Sequence, residues 1–272
     1  MIVLLKPAEM LYRGVNRVRR SLYRAGVLKP KRLAKPVISV GNIAIGGTGK
    51  TPAVIAICRF LEQRGLRVAV LTRGYGASGS GIVTELAAER FGDEPVVIKK
   101  NTQSTTVIIG ANRYENARRH ECDVFVLDDA FQHLQLHRDL DIVIDAPARF
   151  YREGRGALRD ADIIVPRRLR LDIPQSLRGK RVFAFAGLAD NEQFFDSLND
   201  LQVVGTRGFP DHHRYGEADI AQIRGAAADS AADAIVTTEK DAVKIRAADI
   251  IAIPAEFIFD AEVLEKIAGV VR

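Results

Sequence analysis

The sequence predicts an α/β protein: a phosphate-loop-type parallel sheet domain, a second, smaller αβ domain and an N-terminal amphipathic helix. Three observations predict it. Residues 37–52, Val-Ile-Ser-Val-Gly-Asn-Ile-Ala-Ile-Gly-Gly-Thr-Gly-Lys-Thr-Pro, read as a buried strand, a glycine-rich loop and the first turn of a helix. Short apolar runs at Arg67–Leu71, Thr106–Ile109, Asp123–Leu127, Asp141–Asp145 and Asp162–Val165 are spaced for strand, crossover, strand. Leu11, Val15, Val18 and Leu22 recur at helical spacing. The divisions expected are a basic arm over 1–35, a nucleotide-binding domain over 36–170 and an αβ domain over 171–272, entered through a charged linker at 166–180.

A length of 272 residues with 47% apolar content allows one large or two modest domains with a real core. Cys58 and Cys122 read as buried free thiols, which suits a reducing compartment. No apolar run is long enough to span a bilayer, and no signal-peptide pattern opens the chain. The net charge of +6 is uneven: the first 36 residues carry ten Lys and Arg against Glu9, so the rest of the chain is net acidic. In the arm, Arg13, Arg17, Arg20 and Arg24 run two residues out of phase with the apolar stripe, on roughly the opposite face. Such a helix suits an anionic membrane surface through residues 6–35. It equally suits a helix packed on the body with a solvated arginine face. Nucleic acid is disfavoured, since no aromatic interleaving or recognition motif accompanies the charge.

The glycine-rich loop carries the clearest chemistry. Gly46, Gly47, Thr48 and Gly49 let backbone N–H groups converge on an anion at a helix N-terminus. Lys50 would reach the β- and γ-phosphates, and the Thr51 hydroxyl would ligate Mg²⁺. Pro52 fits the first turn, and Gly65 is a natural helix stop. The strand ending at Asp128-Asp129 would supply the carboxylates of a magnesium site. Arg73, at the end of the second strand, faces either a ligand or an ordinary turn. Gly92-Asp93-Glu94-Pro95 reads as a loop with Glu94 extended, either holding a base for a hydroxyl proton or simply solvated. The smaller domain has predicted strands at Val182–Ala186, Gln202–Gly205, Ala234–Thr237 and Glu256–Phe259, with helices near Glu192–Leu198, Glu217–Ala226 and Ala261–Ala268. Asp211-His212-His213 reads as a polar interdomain or catalytic cluster, without zinc-site spacing. Thr238-Glu239-Lys240-Asp241 reads as a structural strand end.

Taken in order, Gly46–Pro52, Arg73-Gly74-Tyr75-Gly76, Gly92–Pro95, Asp128-Asp129-Ala130-Phe131-Gln132-His133, Asp211-His212-His213 and Thr238–Lys244 resemble the tetraacyldisaccharide 4′-kinase family of lipid A biosynthesis along nearly the whole chain. The resemblance implies transfer of the ATP γ-phosphate to the 4′-hydroxyl of a membrane-embedded disaccharide 1-phosphate. It implies Mg²⁺ and a place at the cytoplasmic face of the bacterial inner membrane. By motif matching it makes Asp93 the catalytic carboxylate, His212 its partner and Lys50 the phosphate contact. It adds Gln132 and His133 to the nucleotide site and Arg73, Tyr75 and Arg113 to the acceptor site. Thr51, Asp128, Asp129 and Glu153 become the metal set. Two other classes fit parts of the pattern: a phosphate-loop NTPase acting on a protein or metal partner at the membrane, and a membrane protein that binds nucleotide without turnover.

Overall fold

The computed structural model describes residues 5–44, 46–147 and 150–271, with side chains described from residue 13 onward. In chain order the large domain comprises α1 (Leu5–Arg24), β1 (Val37–Gly41), α2 (Lys50–Glu62), β2 (Val68–Thr72), β3 (Gly81–Ile82), α3 (Ala88–Phe91), α4 (Asp93–Lys100), β4 (Thr106–Ile109), α5 (Arg113–Ala117), β5 (Val124–Asp128), β6 (Leu140–Asp145) and β7 (Ile163–Pro166). Then come β8 (Leu169–Leu171), β9 (Arg181–Ala186), α6 (Glu192–Asp196), β10 (Gln202–Gly208), α7 (Glu217–Asp229), β11 (Ala234–Thr238), α8 (Glu239–Ala242), β12 (Ile250–Ile253), β13 (Ala255–Phe257) and α9 (Ala261–Val270).

The large sheet runs β3-β4-β2-β5-β1-β6-β7, parallel except for the short edge strand β3. Its central strands β1, β2 and β5 are buried along their whole length. They are therefore continuous Val, Ile and Leu runs rather than alternating ones, as sheets covered on both faces require. On one face Ile38, Val40, Val70 and Val126 pack on Val54, Ile57 and Leu61 of α2 and on Val96 and Val97 of α4. On the other, Val37, Leu71, Phe125 and Leu127 pack on Ala117 and Leu136. β1 lies between β5 and β6, with Val40 opposite both Asp128 and Ile142. That register sets the glycine-rich loop beside the acid pair, at the carboxyl ends of the strands where open parallel sheets place ligands.

The smaller sheet, β10-β9-β11-β12, is also parallel. Here the sequence reading needs two corrections. The fourth strand is Ile250–Ile253, an apolar run the reading passed over, while Ala255–Phe257 pairs antiparallel with β8 instead. The expected linker thus contains a strand, and the ribbon β8–β13 joins the domains. After it the chain returns to the large domain: Phe257, Val263 and Ile267 are buried against the α2 side of the large core.

The arm forms one helix, but its faces are turned. Val15 and Val18 are exposed (55% and 62%), and Leu22 is exposed as well, whereas Asn16 and Arg20 are buried. Leu11 lies outside the described side chains. Arg20 Nη2 pairs with Glu153 Oε2 at 2.6 Å and Nη1 with Asp160 Oδ2 at 2.9 Å. The guanidinium stacks 4.4 Å from the Phe131 ring centroid, and Arg24 pairs with Asp160 at 2.6 Å. The four arginines are therefore not one solvated face: Arg20 is the docking anchor, because two carboxylates and an aromatic ring await it on the body. Stripping one partner from a buried pair costs about 3–5 kcal/mol. Arg20→Ala is expected to lower stability by about 3 kcal/mol in thermal denaturation and to deprotect α1 in hydrogen exchange. Exposed Arg17→Ala should stay within about 0.5 kcal/mol.

Candidate active site

The glycine-rich loop is organised from behind. Asn42 Nδ2 donates to Thr48 Oγ1 at 2.6 Å, and Gln132 Nε2 donates to the Asn42 carbonyl at 2.8 Å. Gly49 precedes α2 at φ +85°, a left-handed value open to glycine without strain. The helix then starts at Lys50, with Thr51 and Pro52 in its first turn. The strand, loop and helix start thus fall where the sequence reading placed them.

Asp128 closes β5 and is almost wholly buried. Its Oδ2 accepts from Thr72 Oγ1 at 3.1 Å, while Oδ1 is buried with no hydrogen-bond partner. Burial, then Glu94 and Asp129, push its carboxyl up to about 7. Arg113, buried, donates to the Asp128 carbonyl at 2.6 Å. Asp129 sits in left-handed backbone at φ +48° and accepts from Arg152 Nη1 at 2.8 Å on both oxygens. Lys50 Nζ lies 3.6 Å away. Burial pushes Asp129 up, but Lys50 and Arg152 outweigh it and hold it below the usual carboxylate range. Glu153 departs from expectation. Its Oε2 is committed to Arg20 under α1, and the neighbouring Arg152 reaches the acid pair instead. Among the described residues no three His, Cys, Asp or Glu side chains cluster as a metal site.

The Gly-Asp-Glu-Pro segment is not a loop with Glu94 extended. It opens α4, with Pro95 in the first turn, where no intrahelical donor is lost. Gly92 has φ +85°, and a Cβ there would fall 2.7 Å from the Tyr75 carbonyl oxygen, so a side chain is excluded. This turn aims Asp93 at the second domain. His212 Nδ1 donates to Asp93 Oδ2 at 2.9 Å, and the Glu94 N–H donates to Oδ1 at 2.9 Å. His212 itself is held at φ +57° and lies 4.9 Å from the Tyr75 ring. Burial pushes Asp93 up, but the His212 bond and Lys240 bring it below its ordinary value. The bond to Asp93 raises His212. The pair is therefore a carboxylate and an imidazole made more basic by it.

Arg73 and Tyr75 are exposed just past the end of β2, with the Tyr75 ring against His212 and Arg73 near Arg113 and His133. His133 is pushed down to about 4 by burial and then by Arg113 and Arg138, so it stands neutral in basic surroundings. Sequence reading missed Arg152 as the partner of Asp129, Thr72 as the partner of Asp128, and Lys240. Lys240 Nζ lies 3.4 Å from Glu94 Oε1, 3.3 Å from Asp211 Oδ1 and 3.4 Å from His212 Nε2. The signal for Lys240 was available: like Asp128, it follows the carboxyl end of a parallel strand.

A phosphate loop at a strand-to-helix turn, with an acid pair on the adjacent strand, defines a phosphate-loop nucleotide-binding α/β protein. The family model for tetraacyldisaccharide-1-P 4′-kinase matches residues 1–168 and 164–272. A tetraacyldisaccharide 4′-kinase of Geobacter metallireducens is 38% identical over 299 residues, 90% of this chain and 88% of that one. One of Pelobacter propionicus is 36% identical over 301 residues, 90% and 83% of the two chains. The crystal structure of LpxK from Aquifex aeolicus in complex with ATP matches with a TM-score of 0.78 at 28% identity over 100% of both chains. The chain belongs to the tetraacyldisaccharide-1-phosphate 4′-kinase family.

The unpartnered Asp128 oxygen gives a direct expectation. Asp128→Asn removes a buried charge next to Asp129 and Glu94, so the ligand-free protein should melt later, by roughly 1–2 kcal/mol. Turnover should be lost in the same variant. A lower melting temperature would mean that the carboxylate is a structural element of the empty fold.

Proposed function

We propose that this protein is a kinase that transfers the γ-phosphoryl group of ATP to the 4′-hydroxyl of a tetraacylated disaccharide 1-phosphate in lipid A biosynthesis, at the cytoplasmic face of the bacterial inner membrane. Family membership supports the reaction. The single structural observation that favours it over simple nucleotide hydrolysis is the Asp93–His212 contact, made across the domain junction on the ligand side of the large sheet. A phosphate-loop NTPase working on a protein or metal partner has no use for a base reserved for an acceptor hydroxyl.

The roles follow from charge and geometry. Lys50 and the N–H groups of Gly46, Gly47, Thr48 and Gly49 neutralise the β- and γ-phosphates. Gln132 steadies that loop from behind and His133 borders it, while Arg73, Tyr75 and Arg113 surround the place where the acceptor sugar would sit. The orphaned Oδ1 of Asp128, with Thr51, fits a magnesium ion whose other ligands come from phosphate and water. Bound there, Mg²⁺ would neutralise charge on the transferring group. Asp129 belongs to the same pair, although its two oxygens are already held by Arg152. Glu153 is left out of the metal set because Arg20 holds it. As the acceptor oxygen bonds to the γ-phosphorus and the bond to ADP breaks, the hydroxyl proton passes to the Asp93–His212 pair. The motif reading gave that proton to Asp93. The raised basicity of His212 against the lowered one of Asp93 favours the imidazole as acceptor and the carboxylate as its anionic support.

The turned helix suits the same reading. Val15, Val18 and Leu22 face outward, along with Val27 and Leu28 just beyond the helix. Beneath them, Arg13, Arg17, Arg20, Arg24 and Arg159 line a groove of about 670 Å³ between α1 and residues 153–159. Apolar side chains would enter the acyl boundary while the exposed Arg13 and Arg17 lie at headgroup level.

The reaction is tested by label transfer from γ-labelled ATP to a detergent-dispersed tetraacyl disaccharide 1-phosphate with Mg²⁺. Wild type should label the lipid. Lys50→Ala and His212→Gln should lose at least 100-fold in kcat with the fold retained. Release of free phosphate indifferent to the lipid would replace the kinase reading with the NTPase one. For the membrane role, Val15→Asp/Val18→Asp should reduce co-sedimentation with anionic vesicles severalfold without lowering the melting temperature. Undiminished binding would reject the outward stripe as the contact.

A further inference from the structure

His212 is held from several sides at once. Asp93 and Glu94 approach from the N-terminus of α4, Asp211 from its own loop, Tyr75 from the end of β2, and Lys240 from α8 with Lys244 one turn further on. Its sequence neighbour His213 turns away to Asp219 at 3.1 Å. Nδ1 is taken by Asp93, so the nitrogen left to receive a proton is Nε2. That nitrogen faces the Lys240 ammonium at 3.4 Å. Lys240 is itself fixed: Glu94 and Asp211 hold it at 3.4 and 3.3 Å, and Asp93 lies 4.0 Å away. An ammonium has three donors and no acceptor. Facing it, Nε2 can only accept, so the ring proton must lie on Nδ1, toward Asp93.

We propose that Lys240 is a positioning residue that fixes this pattern. Its ammonium donates to Nε2 of His212, sets the Nδ1–H tautomer against Asp93 and keeps the ring free of an idle proton; when an acceptor hydroxyl arrives it yields Nε2 to that proton and stays with Glu94 and Asp211. The proposal rests on His212 taking the hydroxyl proton in the kinase reaction. It explains why a cation sits on the second domain at this point. Asp93 alone favours the charged imidazolium, which cannot act as a base; a neighbouring ammonium opposes that charge. Burial works against the charge on Lys240, but Glu94, Asp93 and Asp211 outweigh it and keep the ammonium charged. His212 is thus made basic by one neighbour and kept unprotonated by another.

The experiment compares wild type, Lys240→Met and Lys240→Arg as full-length protein in detergent micelles. It records kcat/KM against pH with ATP and the lipid acceptor, and titrates the ring nitrogens of His212 by NMR in the nucleotide-free protein, assigned with His212→Gln. Removing the cation makes protonation easier. The acid limb of Lys240→Met should therefore move up by about one pH unit, with about tenfold lower activity near neutrality that recovers above it. Lys240→Arg should keep the wild-type profile, and the NMR titration of His212 should move with the acid limb. Lys240→Gln serves as a second neutral variant if Met fails to fold. A loss equal at all pH values, or a His212 titration that does not move, would overturn the proposal and leave Lys240 as a simple interdomain tie. A wild type that moves no phosphate to lipid would instead sink the kinase reading, while the NMR titration would still decide whether Lys240 governs His212.

Discussion

Asp128 and Asp129 lie side by side at the buried end of β5, and a carboxylate in that setting must be neutralised, paired or given a ligand. The large domain is arranged to meet that demand from three directions. Lys50 arrives from α2, Arg152 from the segment after β6 and Arg113 from α5. Lys50 reaches Asp129 because β1 lies directly beside β5, in a register that sets Val40 level with Asp128. Asp129 is fully paired by this arrangement, and one oxygen of Asp128 is not. One carboxyl oxygen without a hydrogen-bond partner thus lies on the same side of the sheet as the glycine-rich loop, where a cation would satisfy it.

The second half of the site depends on a contact between domains. α8 docks on α4, with Lys240 against Glu94 at one end of α4 and Glu239 accepting from Asn101 at 2.9 Å at the other. Arg59 of α2 ties Asn101 in turn, at 2.7 Å. These polar contacts bridge two separately packed cores, whereas the ribbon β8–β13 and helix α9 make the covalent and apolar join. A junction of this kind, polar near the chemistry and apolar at the hinge, can loosen on the ligand side without unfolding either domain. The Asp93–His212 bond spans this junction, so the base and its support come from different domains.

Much of this was legible in the sequence because the signals were local. A strand, a glycine-rich loop and Lys-Thr-Pro specify their own geometry, and an apolar strand ending in paired acids announces its position. What failed was whatever depended on partners distant in sequence. Glu153 entered the metal set through the family resemblance alone, but the chain turns it under a helix more than a hundred residues upstream. Pro95 suggested an extended Glu94, yet tertiary packing of Val96, Val97 and Ile98 makes the segment a helix start. Lys240 read as structural because its place just past a strand end hints at a site, but only the docking of α8 on α4 says which one. Residues 250–253 and 255–257 were read in the wrong order of importance, since two short apolar runs compete for one sheet position and only the surrounding core decides between them.

The N-terminal helix makes the same point about long-range pairing. An amphipathic pattern gives the two faces of a helix but not which one a protein keeps for itself. Here one buried arginine outweighs an apolar stripe, because Glu153 and Asp160 would otherwise lie uncompensated beside Phe131. Satisfying those acids inward leaves Val15, Val18 and Leu22 outward. Exposed aliphatic side chains in a row gain nothing from water, so this is the face of α1 open to an apolar surface. The ion pairs that dock α1 therefore decide which of its faces is exposed. They also tie α1 to the segment after β5, for Arg20 donates to the Phe131 carbonyl two residues beyond Asp129.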